Sequence, residues 1–574
     1  MNQGEVEILN LIVESGGTLW LGDDKDAEDI DVHGDIICNG IIGGESKDDD
    51  DALTLNLVGA STTISGTGSC MFKQIIKNSN QYSLTELVID MPVELVDDGT
   101  ALYNKKNNTE LKVRITPNGI LDIAGTFDMN NGNSNKLCSL LIESDETGTG
   151  ILKAKAITDS DASNTTVEQY LQENRWHYIT TPVESATAGV FMDIYLMEFS
   201  EPDGTWSYIT DPAALLSPEM EGYAAWTSSN LLGNTTLEFS GEIHSGNYEI
   251  GLTNTASATH NNKGFNFVGN PYNAPVDWDY EDDKGWTKEN IDDAIYLWNG
   301  DLGVYGSYVN GFGINQATSI IPAHQGFFVH CNASTGTLGV DYKAQVAQPA
   351  SFWKNSNEVT EGVLRLAVTG QGYQDETIIY FDGEASGMVD KSKDAIKMFN
   401  AADAVSLYSF SGGQELAING LPDVNHVMMG MKSNTTGWYT LTWDGAGSFV
   451  NYSQVILEDK ETGMMIDMKA GNSYSFNHTG NSAERFTVHF VNTTTGVEDF
   501  VKAVVPVTVN QGNLVIDNTN GTIDRLGVYN LAGQEVVVMN PGAGIQEVQL
   551  PGSGWYIVRI SDGQEIRSEK IWVN

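Results

Sequence analysis

Basic residues are scarce in this chain: 30 Lys and Arg stand against 77 Asp and Glu, a formal charge of −47 over 574 residues. A field of that sign repels nucleic acid and anionic membranes, and it attracts divalent cations such as Ca2+ only loosely. Cysteine is scarcer still. Cys38, Cys70, Cys138 and Cys331 are the four, none in a Cys-x-x-Cys pair, which argues against zinc. Three lie in the N-terminal part, where they read as small apolar residues of stacked strands rather than as a disulfide framework. No run of 18 apolar residues exists, so no transmembrane helix is expected. The nine His show no His-Glu-x-x-His spacing. His177, His324 and His330 lie in the middle of the chain, and His324 in Pro322-Ala-His-Gln325 reads as a structural histidine. Gly-rich turns such as Gly66-Thr67-Gly68 lack a phosphate-binding Lys. No Gly-x-Ser-x-Gly opens a helix, and carboxylates are too plentiful for an acid/base pair to stand out. Hence no catalytic residue, cofactor or metal ligand is expected.

What is present is glycine, 60 residues of it, with abundant Asn, Ser and Thr and only 19% charged residues. That is a β-rich, turn-rich, extracellular composition. The 40% hydrophobic residues are spread evenly, which argues against a disordered acidic tail. The length calls for several domains.

Residues 1–155 repeat one unit: a strand of a few apolar residues, a Gly or Asn corner, another strand. Ile30-Asp-Val-His-Gly34, Leu53 to Gly59, Leu111 to Thr116 and Leu140 to Glu143 are examples. Comparable strands recur at roughly 20 to 30 residues, which predicts a right-handed parallel β-helix with apolar side chains inward. The segment resembles the β-helices of bacterial surface adhesins and of polysaccharide lyases. The acidic runs Asp23 to Asp29 and Asp48 to Asp51 lack the Asp-x-Asp-x-Asp-Gly spacing of a Ca2+ loop and read as solvated loops. After them, Thr165 or Thr166 is placed to cap a short helix over Val167 to Gln172.

Residues 156–348 alternate apolar and polar in short runs with frequent turns, the pattern of an antiparallel sandwich. Trp176 to Pro182, Gly264 to Tyr272 and Ile321 to Val329 resemble an accessory β module of Bacteroidetes surface proteins. In its Gly269-Asn-Pro-Tyr272 turn, Gly and Asn tolerate positive φ, Pro271 fixes its own φ, and Tyr272 can pack back. Residues 349–495 give a jelly-roll or Ig-like sandwich, and Thr493 to Gly496 a linker.

Residues 496–574 form a further small β-sandwich, near the lower limit for independent folding. Three ordered blocks stand in it: Leu526 to Val536, Leu550 to Ile560, and Ser568 to Val573. Tyr529, Gly533 and Gln534 of the first, Leu550, Pro551, Gly554 and Tyr556 of the second, and Lys570 of the third resemble the C-terminal sorting domain of type IX secretion system cargo from Bacteroidetes. The Tyr-Pro-Asn-Pro run that often opens such domains is absent, and Val505-Pro506-Val507 stands roughly in its place. The resemblance implies these eight residues as sorting signal, the type IX machinery as partner, and delivery to the cell surface or medium. Cargo of that system carries a signal peptide, which Met1 to Asn10 do not resemble, so a mature or truncated fragment, or a missing gene start, is expected.

The expectation is therefore an all-β secreted or cell-surface structural or adhesion protein that binds extracellular glycans or matrix, and not an enzyme. Trp206, Trp278, Trp286 and Trp298 can stack on sugar rings if exposed, although aromatics are more often core. The alternative is a β-helix polysaccharide lyase or hydrolase, with Lys73, Lys77, Lys105, Lys106, Lys112 or Arg114 as base.

Overall fold

The computed structural model describes residues 6–19, 29–43, 52–129, 135–280, 285–348, 361–480, 482–492, 507–510, 513–518, 523–530, 533–561 and 566–573. Among these the chain is all-β: strands and turns with short 3-10 segments and no α-helix. Residues 23–28 and 48–51 of the acidic runs, and the linker Thr493 to Gly496, lie outside the described residues.

The chain divides into two compact units, Met1–Asp301 with Thr318–Lys354, and Leu302–Ala317 with Asn355–Asn574. The first opens with a parallel β-helix of three strands per coil. Val6–Ile8, Leu11–Val13 and Thr18–Leu19 pair in parallel with Asp29–Val32, Ile36–Cys38 and Ile41–Ile42. Those pair with the next coil in turn. The register aligns like with like. Ile30, Leu55, Ile75 and Leu102 form one inward column. Ile36, Ile64, Ile89, Ile115 and Ile142 form a second. Ile42, Cys70, Val93, Leu121 and Leu152 form the third. All are buried. Each such side chain contributes about 1.5–3 kcal/mol, and the short runs alternate because successive residues of a strand face opposite sides. All four cysteines are buried free thiols, Cys70 within a column. At one corner a Cβ on Gly68 would stand 2.0 Å from the Gly40 carbonyl oxygen, and one on Gly40 2.2 Å from that of Gly17. Strand stacking leaves no space there for a side chain.

The expected helix over Val167 to Gln172 is instead the strand Thr165–Leu171. Its Thr165 to Val167 pair in parallel with Leu140 to Ile142, and its Val167 to Leu171 pair antiparallel with Thr235–Phe239. A sheet already formed by the β-helix accepts the β-branched Thr-Thr-Val run, and that outweighs a local cap signal. The β-helix core continues through this strand to Phe191, Leu196, Tyr223 and Phe239.

Antiparallel sheets complete the unit. One joins Trp176–Ile179, Tyr223–Trp226, Tyr195–Ser200 and Thr205–Tyr208. Another contains Phe265–Gly269, Gly326–Cys331 and Ile291–Asn299. In the Gly269 to Tyr272 turn neither Gly269 nor Asn270 takes a positive φ. Gly269 is required for closeness instead, since a Cβ there would meet Thr180 at 2.4 Å. Asn270 Nδ2 donates to the carbonyls of Ala274 and Pro322 at 2.9 Å, and Tyr272 packs back into the core.

The second unit holds a large sheet whose strands include Val363–Gly370, Tyr373–Phe381, Ser406–Ser411, Gln414–Leu421 and Gly437–Asp444, with Leu366, Leu407, Leu441 and Phe486 in its core. It takes in residues 302–317 as a hairpin, Val304–Val309 with Phe312–Ile314. Its C-terminal part has two sheets. Val507–Asn510, Asn513–Asn518 and Gly544–Gln549 form one. Glu535–Met539, Arg525–Asn530, Gly554–Ser561 and Ile566–Val573 form the other. They enclose Leu514, Val528, Tyr556 and Val558.

Candidate functional site

The four-stranded sheet starting at Trp176 carries the most distinctive surface of the first unit. Its register sets Trp176 and Tyr195 on either side of Trp226, and Met197 opposite Tyr208. Paired residues share a face, so four large rings from four strands lie in one row. Centroid separations are 6.3 Å for Trp176–Trp226, 5.6 Å for Tyr195–Trp226 and 5.7 Å for Tyr195–Tyr208. Tyr195 and Tyr208 are 46% and 58% exposed, and the two tryptophans are half-buried. The same face continues inward through Tyr178, Phe199 and Trp206, and there the rings meet Phe267 and Phe328 at 4.8 to 5.1 Å. Arg175, ion-paired with Asp301, adjoins the row. Open aromatic faces anchored on a packed aromatic core present a rigid apolar platform with polar groups at its edge, the kind of surface that stacks on the C–H face of a sugar ring.

None of the four tryptophans singled out in the sequence belongs to the exposed row. Trp278 is buried, with Lys288 over its ring at 3.8 Å. Trp286 packs edge-on against it at 4.8 Å. In the inner aromatic cluster Trp298 stacks on Tyr178 and Trp206 lies tilted against it. Alternation alone could have paired Trp176 with Tyr178 on one face, but the row across strands exists only through the register.

A cavity of about 190 Å³ lies near the inner cluster, lined by Phe199, Glu201, Glu221, Leu252 and Phe267 among others. That is below the roughly 300–1,000 Å³ of ligand pockets. Its two carboxylates differ. Burial raises the pKa of Glu201, but bonds from the Gly264 and Thr255 amides and the Thr253 and Thr255 hydroxyls outweigh it and hold the group low. Glu221 is pushed up to about 7 by burial and by the charge of Glu198.

Deeper still, His324 is buried with a left-handed φ of 55°, its Nε2 3.0 Å from Asn273 Oδ1. Burial and the neighbouring His244 lower it to about 3. His244 is lowered to about 4 by burial, near the Thr181 and Val183 carbonyls. Both rings are neutral core groups. His330 Nδ1 lies 2.6 Å from Asp292 Oδ2, and His177 Nε2 2.9 Å from the Gln172 carbonyl. Among the described residues no group of three or more His, Cys, Asp or Glu could hold a metal ion.

On the β-helix, Lys112 and Arg114 reach Glu86 at 3.4 and 3.6 Å, and Arg114 reaches Glu143 at 3.0 Å. The structure thus brings acids to two of the candidate bases, as ion pairs across neighbouring coils. Lys77 is buried and donates to Thr85 Oγ1 at 2.6 Å.

The eight sorting-signal residues are spread over the C-terminal sandwich. Leu550 and Tyr556 are buried in its core, the Tyr556 hydroxyl donating to the Gly552 carbonyl at 2.9 Å. Tyr529 pairs with Ile557. Gly533, at φ 80°, and Gln534 turn the chain after Asn530, which accepts from the Gln534 amide at 3.0 Å. Pro551 is exposed, and Gly554 opens the strand of Tyr556. Lys570 Nζ lies 4.5 Å over the Trp555 ring, itself beside Trp572. The structure therefore unites them as elements of one fold rather than as one cluster.

Comparison with known proteins adds two findings. A family model described as Domain of unknown function (DUF8693) matches residues 111–490, about two thirds of the chain. The minor fimbrium subunit Mfa5 of Porphyromonas gingivalis is 24% identical over 526 residues, which cover 82% of this chain and 41% of that protein. The chain thus spans about two fifths of the length of the curated relative it matches.

Proposed function

The chain belongs to the DUF8693 family of domains of unknown function, and from that premise we propose that it is a cell-surface or extracellular structural and adhesion protein, not an enzyme, that grips neutral glycan chains. The observation that carries the reading is the exposed row Trp176, Trp226, Tyr195, Tyr208. The fimbrial relative supports the surface role. The net charge of −47 disfavours acidic polysaccharides and selects neutral ones. The C-terminal sandwich, with Tyr529, Gly533, Gln534, Leu550, Pro551, Gly554, Tyr556 and Lys570, serves as the export signal for the type IX machinery.

Two experiments test these parts separately. On an array of neutral and acidic polysaccharides, the wild type is expected to retain a neutral glycan, and Tyr195→Ala with Tyr208→Ala to lose about tenfold or more in affinity. No retained glycan sinks the binding reading, and release of unsaturated products would move it to the lyase. In a type IX-competent host, removal of residues 507–574 should keep the chain inside the cell envelope. Undiminished surface delivery would refute the export role.

A further inference from the structure

The second unit buries an amine against a carboxyl group. Lys397 follows the short strand Ala395–Ile396, Asp375 lies in Tyr373–Phe381, and both strands hydrogen-bond to Gln414–Leu421. Lys397 Nζ lies 2.5 Å from Asp375 Oδ2, and the side chains are 1% and 0% exposed. Three features separate this contact from an ordinary ion pair.

An ammonium has three protons to donate, yet among the described residues Asp375 Oδ2 is the one acceptor that Lys397 Nζ reaches. A charged amine left so incompletely bonded in a dry interior is expensive. The buried Arg485 shows the contrast. It contacts Asp459 at 2.8 and 3.1 Å, Glu461 at 2.7 Å and the Asn477 carbonyl, and it stacks on Phe476.

The carboxyl group, in turn, is polarised from two sides. Asn315 Nδ2 donates to Asp375 Oδ1 at 2.7 Å, and the Leu407 amide donates to Oδ2 at 2.6 Å. Asn315 is fixed in place, because its own amide donates at 2.8 Å to Glu376 Oε2, which Arg365 also reaches at 3.3 Å. Donors held on a carboxyl group stabilise negative charge that develops on its oxygens under attack. Amine and carboxyl are already held in direct contact, so no search is needed to bring the reacting groups together.

We propose that Lys397 and Asp375 condense to an intramolecular isopeptide bond. A proton passes from the ammonium to the carboxylate, leaving a neutral amine and a carboxylic acid. The Nζ lone pair attacks Asp375 Cγ, and charge gathers on Oδ1 against Asn315. The Cγ–Oδ2 bond then breaks, and Oδ2 leaves as water with two protons that came from nitrogen. One N–H and one carbonyl remain, so two buried charges and two unsatisfied donors disappear. No oxidant, cofactor or second substrate is required. The bond would tie two neighbours of Gln414–Leu421 to each other, a covalent brace suited to a protein under pulling force.

Intact mass spectrometry of the denatured full chain tests this. The wild type is expected to be lighter than its sequence by the mass of one water. Trypsin should fail to cut after Lys397 and should yield one branched peptide joining the segments of Asp375 and Lys397. Lys397→Met and Asp375→Ala should each return to the full sequence mass. Folded wild type at full mass overturns the proposal, and so does a water loss that fragmentation maps to any other residue. Both readings come from the wild type alone, so a variant that fails to fold does not blunt the test.

Discussion

At the inner end of the four-stranded sheet, Tyr178, Phe199 and Trp206 are met by Phe267 and Phe328; at the other end Trp176, Trp226, Tyr195 and Tyr208 continue the same face, and the two tyrosines stay open to solvent. Residue type is the same at both ends. What differs is whether Phe265–Gly269 and Gly326–Cys331 extend over the rings. Aromatic content therefore says little about role, and coverage by a second sheet decides it. The inner half anchors the platform, and the two tyrosines of the outer half stay open to solvent.

The sharpest way to break this contrast is to truncate each end. Phe328→Ala should lower stability by about 3–5 kcal/mol, read by urea unfolding, because the ring is buried against Phe199 and Phe267. A loss no larger than that at an exposed site would mean that the inner cluster is not core. The next effect is pH-dependent. His244 and His324 titrate in the folded state near 4 and near 3, against roughly 6.5 when unfolded. Below about pH 6.5 the unfolded chain takes up protons that the folded chain refuses. Stability should then fall by up to about 1.4 kcal/mol per pH unit for each histidine until the folded values are reached. His244→Phe should flatten that slope between pH 6 and 4, and an unchanged slope would exclude His244 as a source. Glu221 works in the other direction. Its folded value near 7 lies above the unfolded one, so its contribution is complete below about pH 4 and is lost as pH rises to about 7. Glu221→Gln should raise the melting temperature at pH 8 but not at pH 4. The smallest effect belongs to the open end. Tyr195→Ala and Tyr208→Ala should each change stability by within about 0.5 kcal/mol. A larger loss would show that these rings brace the fold instead of waiting for a ligand.

Much of the architecture was legible in the sequence, for a local reason. Alternation in Leu111 to Thr116, where every second side chain is buried, reports a strand with one buried side whatever it pairs with, whereas Leu53 to Gly59 is buried on both faces. The stretch Thr165 to Leu171 reads as a helix because Thr before Val-Glu-Gln carries a local cap signal, while the partners that make it a strand, Leu140 to Ile142 and Thr235 to Phe239, are remote in sequence. The candidate site was hidden for the same reason. Tyr195 and Tyr208 sit at the far ends of a hairpin, and Trp176 and Trp226 lie fifty positions apart, so only strand register makes them neighbours. Asp375 and Lys397 likewise meet through strands that share a partner, not through any motif.

The inward columns of the β-helix carry a last consequence. The column Ile36, Ile64, Ile89, Ile115 and Ile142 offers each coil the same side chain to sit on, so at that joint one coil is interchangeable with another. Duplicating or deleting a block of roughly 25 residues would extend or shorten the stack by about 4.8 Å and still set isoleucine on isoleucine at that joint. Length is then a quantity that selection can adjust in whole steps, the way a ladder is lengthened by adding rungs.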